Sequence, residues 1–129
     1  MNTYFFAAGL LLIVIGIVHS ILGEKLIFRR MRQGGFIPTE GGSVLREPHV
    51  RILWATWHVV SVLGFGLAAL LLWLAQPEQA PLAQSIIPHV LTAALAASSA
   101  LVFIGTKGKH PGWIGLLAAA GLTLAGMLV

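Results

Sequence analysis

TYFFAAGLLLIVIGIVHSILGEKLIFRRMR, residues 3–32, decides the fold. From Thr3 to about Leu22 it carries no charged side chain, and a helix of about 20 apolar residues crosses a hydrocarbon core about 30 Å thick. Helix is the open-chain solution in lipid, because each backbone N–H and C=O must find its partner within the segment. No Lys or Arg precedes the apolar run, and the run exceeds the 7–15 residues of a signal-peptide core, so it reads as a retained helix. After Gly23 the stretch turns basic without a turn residue. GEKLIFRRMR therefore continues the helix toward the headgroups, its long cationic side chains reaching outward.

The rest of the chain repeats this pattern. About 52–74, 83–104 and 113–129 are three further apolar segments, and of 129 residues 57% are hydrophobic and only 9% charged. A soluble domain carries roughly 25% charged residues, so this chain cannot cover a globular surface in water. The expected architecture is all-α: a single transmembrane domain forming an integral membrane up-down four-helix bundle, with a long loop over 23–51. The absence of cysteine excludes disulfides, thiolate metal sites and cysteine nucleophiles.

Charge sets the expected topology. All eight basic residues (Lys25, Arg29, Arg30, Arg32, Arg46, Arg51, Lys107 and Lys109) fall in or beside the first and third loops. The second loop, around AQPEQAPLA, has none and carries Glu78. Cationic loops stay in the cytoplasm, which places both termini outside, N-out and C-out. The net charge of +4 is thus explained by topology and anionic headgroups, without nucleic acid. In the first loop QGG ends the basic extension, FIPTEGG reads as a turn region, and Phe36, Ile37, Val44 and Leu45 are expected on the membrane surface. Pro48 suits the first turn of the second helix, and Glu47 lies four residues before Arg51, a favourable helical pairing.

Small residues mark helix contacts in lipid. The third helix offers Ala93, Ala94, Ala96, Ala97, Ser98, Ser99 and Ala100, the fourth Gly112, Gly115, Ala119 and Gly126, and these two are expected to pair. Gly9, Gly16 and Gly23 recur at seven-residue spacing along the first, a stripe for close approach.

Ionisable groups within apolar helices are costly and mark candidate sites. Gly16, His19 and Gly23 share a face of the first helix, with Arg30 returning to that direction; Arg51, Trp54 and His58 share a stripe of the second, with Ser61 beyond. Ser20 and Glu24, four apart, share a neighbouring face. Four readings stay open. His19 and His58 could ligate a b-type haem, with Arg30 or Arg51 at its propionates and Trp57 stacking beside it. His19, Glu24, His58 and His110 could hold a divalent metal, although no HxxH or HExxH spacing occurs. The cluster could form a polar vestibule for a small molecule, lipid headgroup or proton. Or the histidines bond Ser20, Ser61, backbone or water and fix helix register, while Trp54, Trp57, Trp73 and Trp113 form an interfacial belt.

VHSILGE, RILWATWHVVS and GTKGKHPGW together resemble a family of small four-helix bacterial inner-membrane proteins to which no activity is attached. The resemblance spans most of the chain and implies the helix count and that location. No nucleotide-binding or Ser–His–Asp motif is present and no aspartate occurs, which points away from an enzyme. The leading expectation is a multi-pass, non-enzymatic binding or accessory protein of the bacterial inner membrane. A haem or metal redox protein and a small oligomeric transporter are the rivals. Expected partners are the lipid bilayer and either a second copy or a larger membrane complex.

Overall fold

The computed structural model describes residues 1–77, 81–106, 108 and 111–129; the side chains of 81–84, 101 and 104–106 stand outside that description. Glu78, Lys107, Lys109 and His110, which entered the charge and metal arguments above, lie outside the described residues. Among the described residues the chain is all-helical, with four helices and no strand: α1 (Thr3–Leu26), α2 (Glu47–Leu74), α3 (Pro81–Thr106) and α4 (Gly112–Gly126).

The helix ends follow local chemistry. Asn2 caps α1, its Oδ1 accepting from the backbone N–H of Tyr4 (3.1 Å) and Phe5 (3.2 Å), two donors with no partner inside the helix. α1 runs past Leu22 to Leu26, with Lys25 in its last turn where a cation complements the helix dipole. A single 3-10 turn, Phe28–Met31, follows. α2 begins at Glu47, five residues before the expected Ile52, because Glu47 and Pro48 both suit a first turn. Glu47 Oε1 accepts from Arg51 Nε at 2.8 Å, one turn on. The expected loop of 23–51 is therefore helical at both margins. Between them the N–H groups of Thr39 and Glu40 both donate to the Met31 carbonyl (2.9 Å each), and Gly34 and Gly42 take positive φ (84° and 65°), a region open to glycine.

α1 and α2 are long and apolar enough to cross a membrane by length and composition, and only 28% and 22% of their most apolar windows are buried inside the protein. Their outward faces carry Val14, Ile17, Val18, Val60, Val62 and Leu63.

Contacts divide the chain into two compact units. Unit 1, Met1–Ile15 with Phe65–Val129, has an apolar core to which all four helices contribute: Phe5, Ala8 and Leu12; Ala68, Leu71 and Leu74; Leu91 and Leu95; Ala119 and Ala120. Helix α1 is antiparallel to α2 here: the Asn2 N–H donates to the Ala75 carbonyl (2.8 Å), while Gly9 leaves room for Leu72. Ser99 Oγ donates to the Trp113 carbonyl (2.7 Å), tying α3 to α4. Two of the α4 glycines expected to face α3 serve α1 instead. Gly115 lies against Ile15 and Gly126 against Phe5, because these large side chains need space that a Cβ would fill.

Unit 2, Gly16–Gly64, pairs the remaining parts of α1 and α2 and includes the connecting segment. Phe28, Pro38 and Val50 are buried in it, while Phe36 and Val44 are 80% and 82% exposed.

Candidate functional site

The polar side chains of unit 2 converge on Glu24. Its Oε1 accepts from Trp54 Nε1 at 2.7 Å and meets His58 Nε2 at 3.0 Å; its Oε2 pairs with Arg32 Nη2 at 2.5 Å. The other ring nitrogen of His58, Nδ1, meets Ser20 Oγ at 3.0 Å, and Ser20 Oγ donates to Ser61 Oγ at 2.8 Å. A continuous path of hydrogen bonds thus runs Ser61–Ser20–His58–Glu24–Arg32. Ser61 is buried, whereas the side chains of Glu24, His58 and Arg32 retain 31%, 25% and 22% exposure.

Sequence spacing explains the convergence. Residues four apart on a helix share a face, so Ser20 and Glu24 project together from α1. Trp54, His58 and Ser61 project together from α2. The antiparallel pairing sets Glu24 opposite Trp54 and Ser20 opposite Ser61, with His58 between them. Arg32 lies beyond the 3-10 turn, which carries its guanidinium back to Glu24. Arg32 Nε also donates to the Phe36 carbonyl (2.7 Å), and its Cζ stands 5.9 Å from the Phe36 ring centroid.

Rings flank this polar centre. Trp54 meets His58 edge-on at 5.1 Å and Phe36 edge-on at 5.7 Å. A cleft of about 590 Å³ opens here, lined by Glu24, Arg32, Gly35, Phe36, Trp54 and His58. The cleft is shallow and largely open, with Phe36 on its rim 80% exposed. Gly16–Gly64 carries six basic side chains against three glutamates, a net of +3, which favours anions around the cleft.

The residues proposed from sequence separate. His58 and Glu24 form the centre. The His19 ring lies flat on Trp57 (4.4 Å between centroids, 7° between planes), and Trp57 Nε1 donates to the His19 carbonyl at 3.1 Å. Gly23 makes this possible, since a Cβ there would overlap the Trp57 indole. Arg30 is exposed, and Arg51, also exposed, is paired with Glu47; neither lines the cleft. The arginine that does is Arg32, which the sequence reading had absorbed into the topology signal. Trp54, expected both in the interfacial belt and on the stripe with His58, lies in the site. The signal for Trp54 was available, since Ser20 and Glu24 on one helix face a Trp–His–Ser stripe at helical spacing on the next; no such spacing pointed to Arg32.

These distances bear on each chemistry. An iron held by His19 and His58 would have to displace Ser20 or Glu24 from a ring nitrogen of His58. Among the described residues no group of three or more His, Cys, Asp or Glu is placed to hold a metal ion; Glu24 and His58 supply two, and His110 lies outside the description. Ser20–His58–Glu24 has the order of nucleophile, base and orienting acid. Ser20, however, sits inside α1, where the helix ladder engages the neighbouring N–H groups, so its Oγ has no amide pair to serve as an oxyanion hole. No family model, curated protein or solved structure matches the chain.

Proposed function

We propose that this chain is a small multi-pass integral protein of the bacterial inner membrane, with both termini outside, and that it acts as a non-enzymatic binding or accessory protein. The outward apolar faces of α1 and α2, together with the cationic residues at one end of each, support the membrane placement. One observation carries the binding role: three polar groups, two from α2 and one from the connecting segment, gather on Glu24 at the wall of a cleft with aromatic sides.

The test begins with protein purified from its native membrane in mild detergent, denatured, and its released small molecules quantified by mass spectrometry. A bound species near one per chain, reduced at least fivefold in Trp54→Ala and His58→Ala, is the expected result. A colourless, metal-free preparation accompanies it. Absence of any stoichiometric species, or a Soret band that disappears with His58→Ala, overturns the proposal. Reporter fusions after Gly42 and after Gln76 should show inside and outside signals respectively.

A further inference from the structure

Resting on that reading, we infer that the cleft takes the phosphate of an amphiphile, with Arg32 as the phosphate-reading group and Trp54 and Phe36 as the walls for its apolar body. The inference comes from counting which hydrogen-bonding positions remain. Glu24 Oε1 already meets Trp54 Nε1 and His58 Nε2, and Oε2 holds Arg32. A carboxylate offers about four acceptor positions, so little is left to attract a cation. Both ring nitrogens of His58 are engaged. Arg32 has five N–H groups, of which one goes to the Phe36 carbonyl and one to Glu24 among the described residues. Three remain on a guanidinium that lines the cleft.

The donor capacity left beside the cleft is on a planar fork, partly exposed and ion-paired to Glu24, a geometry that binds phosphate oxygens in pairs. The charge of the unit points the same way, and its Arg29, Arg30 and Arg46 are exposed. The remaining walls are apolar. Phe36 is 80% exposed beside Trp54, and a Cβ on Gly35 would meet only the Ile37 carbonyl, at 3.7 Å. Charged at one side and aromatic at the other, such a cleft matches a molecule with phosphate at its head and hydrocarbon behind it. In the proposed membrane placement this end of α1 and α2 lies at the headgroup level, where phospholipid phosphates are found. The same phosphate chemistry could also arrive from water, and the experiment separates the two sources.

The full-length protein in detergent is mixed with dioctanoyl phosphatidylglycerol and the retained lipid is read by native mass spectrometry. Wild type should retain one lipid. Arg32→Gln should lower the retained fraction at least tenfold, Arg32→Lys should fall between the two, and Arg30→Gln should stay within twofold of wild type. Far-UV circular dichroism establishes that each variant is folded; a misfolded Arg32→Gln leaves the Lys variant and Phe36→Ala, expected at about one-fifth of wild type, to decide. Inorganic phosphate at equal concentration should displace little lipid. Full displacement would support the phosphate site and assign it a water-soluble occupant. Equal retention of uncharged dioctanoylglycerol, or of decanoate, overturns phosphate recognition and leaves the binding role standing. Retention by Arg32→Gln within twofold of wild type overturns the assignment to Arg32. No retention of any amphiphile, in protein that also carries no native small molecule, removes both readings.

Discussion

Helices α1 and α2 are paired twice, by different means. In unit 1 the pairing is apolar and close: Gly9 admits Leu72, and Leu71 and Leu74 join a core of Ala, Leu and Phe. In unit 2 the same two helices meet through Ser20, Glu24, Trp54, His58 and Ser61, with Gly23 admitting an indole. Dispersion between small and large side chains holds helices together without fixing any one chemical function. Polar pairing is directional, so it specifies register, and it leaves lone pairs and N–H groups for something else. The first arrangement supplies association, while the second supplies a site.

That contrast can be broken from either side. Leu71→Ala should have the largest effect on stability, about 2–5 kcal/mol for a buried leucine truncated in a packed core. Circular dichroism through a denaturing-detergent titration measures it, and a loss under 1 kcal/mol would show that the apolar core is not what holds unit 1. Gly23→Val comes next, at about 1–3 kcal/mol, because its side chain must displace Trp57 from between His19 and Phe28. Tryptophan emission in a Trp73→Phe/Trp113→Phe background reports on unit 2 alone and should shift, whereas Gly9→Val, which meets Leu72 and the Ala68 carbonyl within unit 1, should leave it unmoved.

Glu24→Gln keeps shape but removes the charge that three donors share, and about 1.5–3 kcal/mol is the scale of a hydrogen bond to a charged group. The side chain is 31% exposed, so the lower end is expected. The same emission signal during denaturation follows it, and unchanged stability would mean that water already meets these donors. Ser20→Ala should be milder, at about 0.6 kcal/mol for each cross-helix bond lost. The exposed Glu47–Arg51 pair should matter least: Glu47→Gln is expected to cost about 0.3–0.5 kcal/mol. A larger loss there would make a surface pair rival the internal cluster.

The helices were legible because apolar length and charge spacing are local properties. Their ends were less so: the basic extension was expected to continue the first helix to Arg32, yet α1 stops at Leu26 and a 3-10 turn over Phe28–Met31 follows. The site was legible as two stripes and not as a pairing. Helical phase placed His58 correctly with Trp54 and Ser61, and it noted Ser20 with Glu24. It joined His58 to His19 because two imidazoles suggested a ligand pair, whereas the antiparallel register brings the neighbouring Ser20–Glu24 face onto His58. Arg32 was beyond reach for another reason. Helical phase does not extend through a 3-10 turn and a change of direction, so no periodicity joins residue 32 to residue 24. Arg30, which does fall in phase with His19, is exposed.

The seat of Trp57 against Gly23 also constrains how this chain can vary over time. A side chain at position 23 and an indole at position 57 exclude one another, so neither site can change freely while the other stays as it is. Descendants that acquire alanine or serine at 23 are expected to carry a smaller residue at 57. Gly64 and Gly66, whose added Cβ would meet no heavy atom within 4 Å, should drift independently of any partner. Joint inheritance of positions 23 and 57, thirty-four residues apart in the chain, would then be the record left by one ring lying on one backbone.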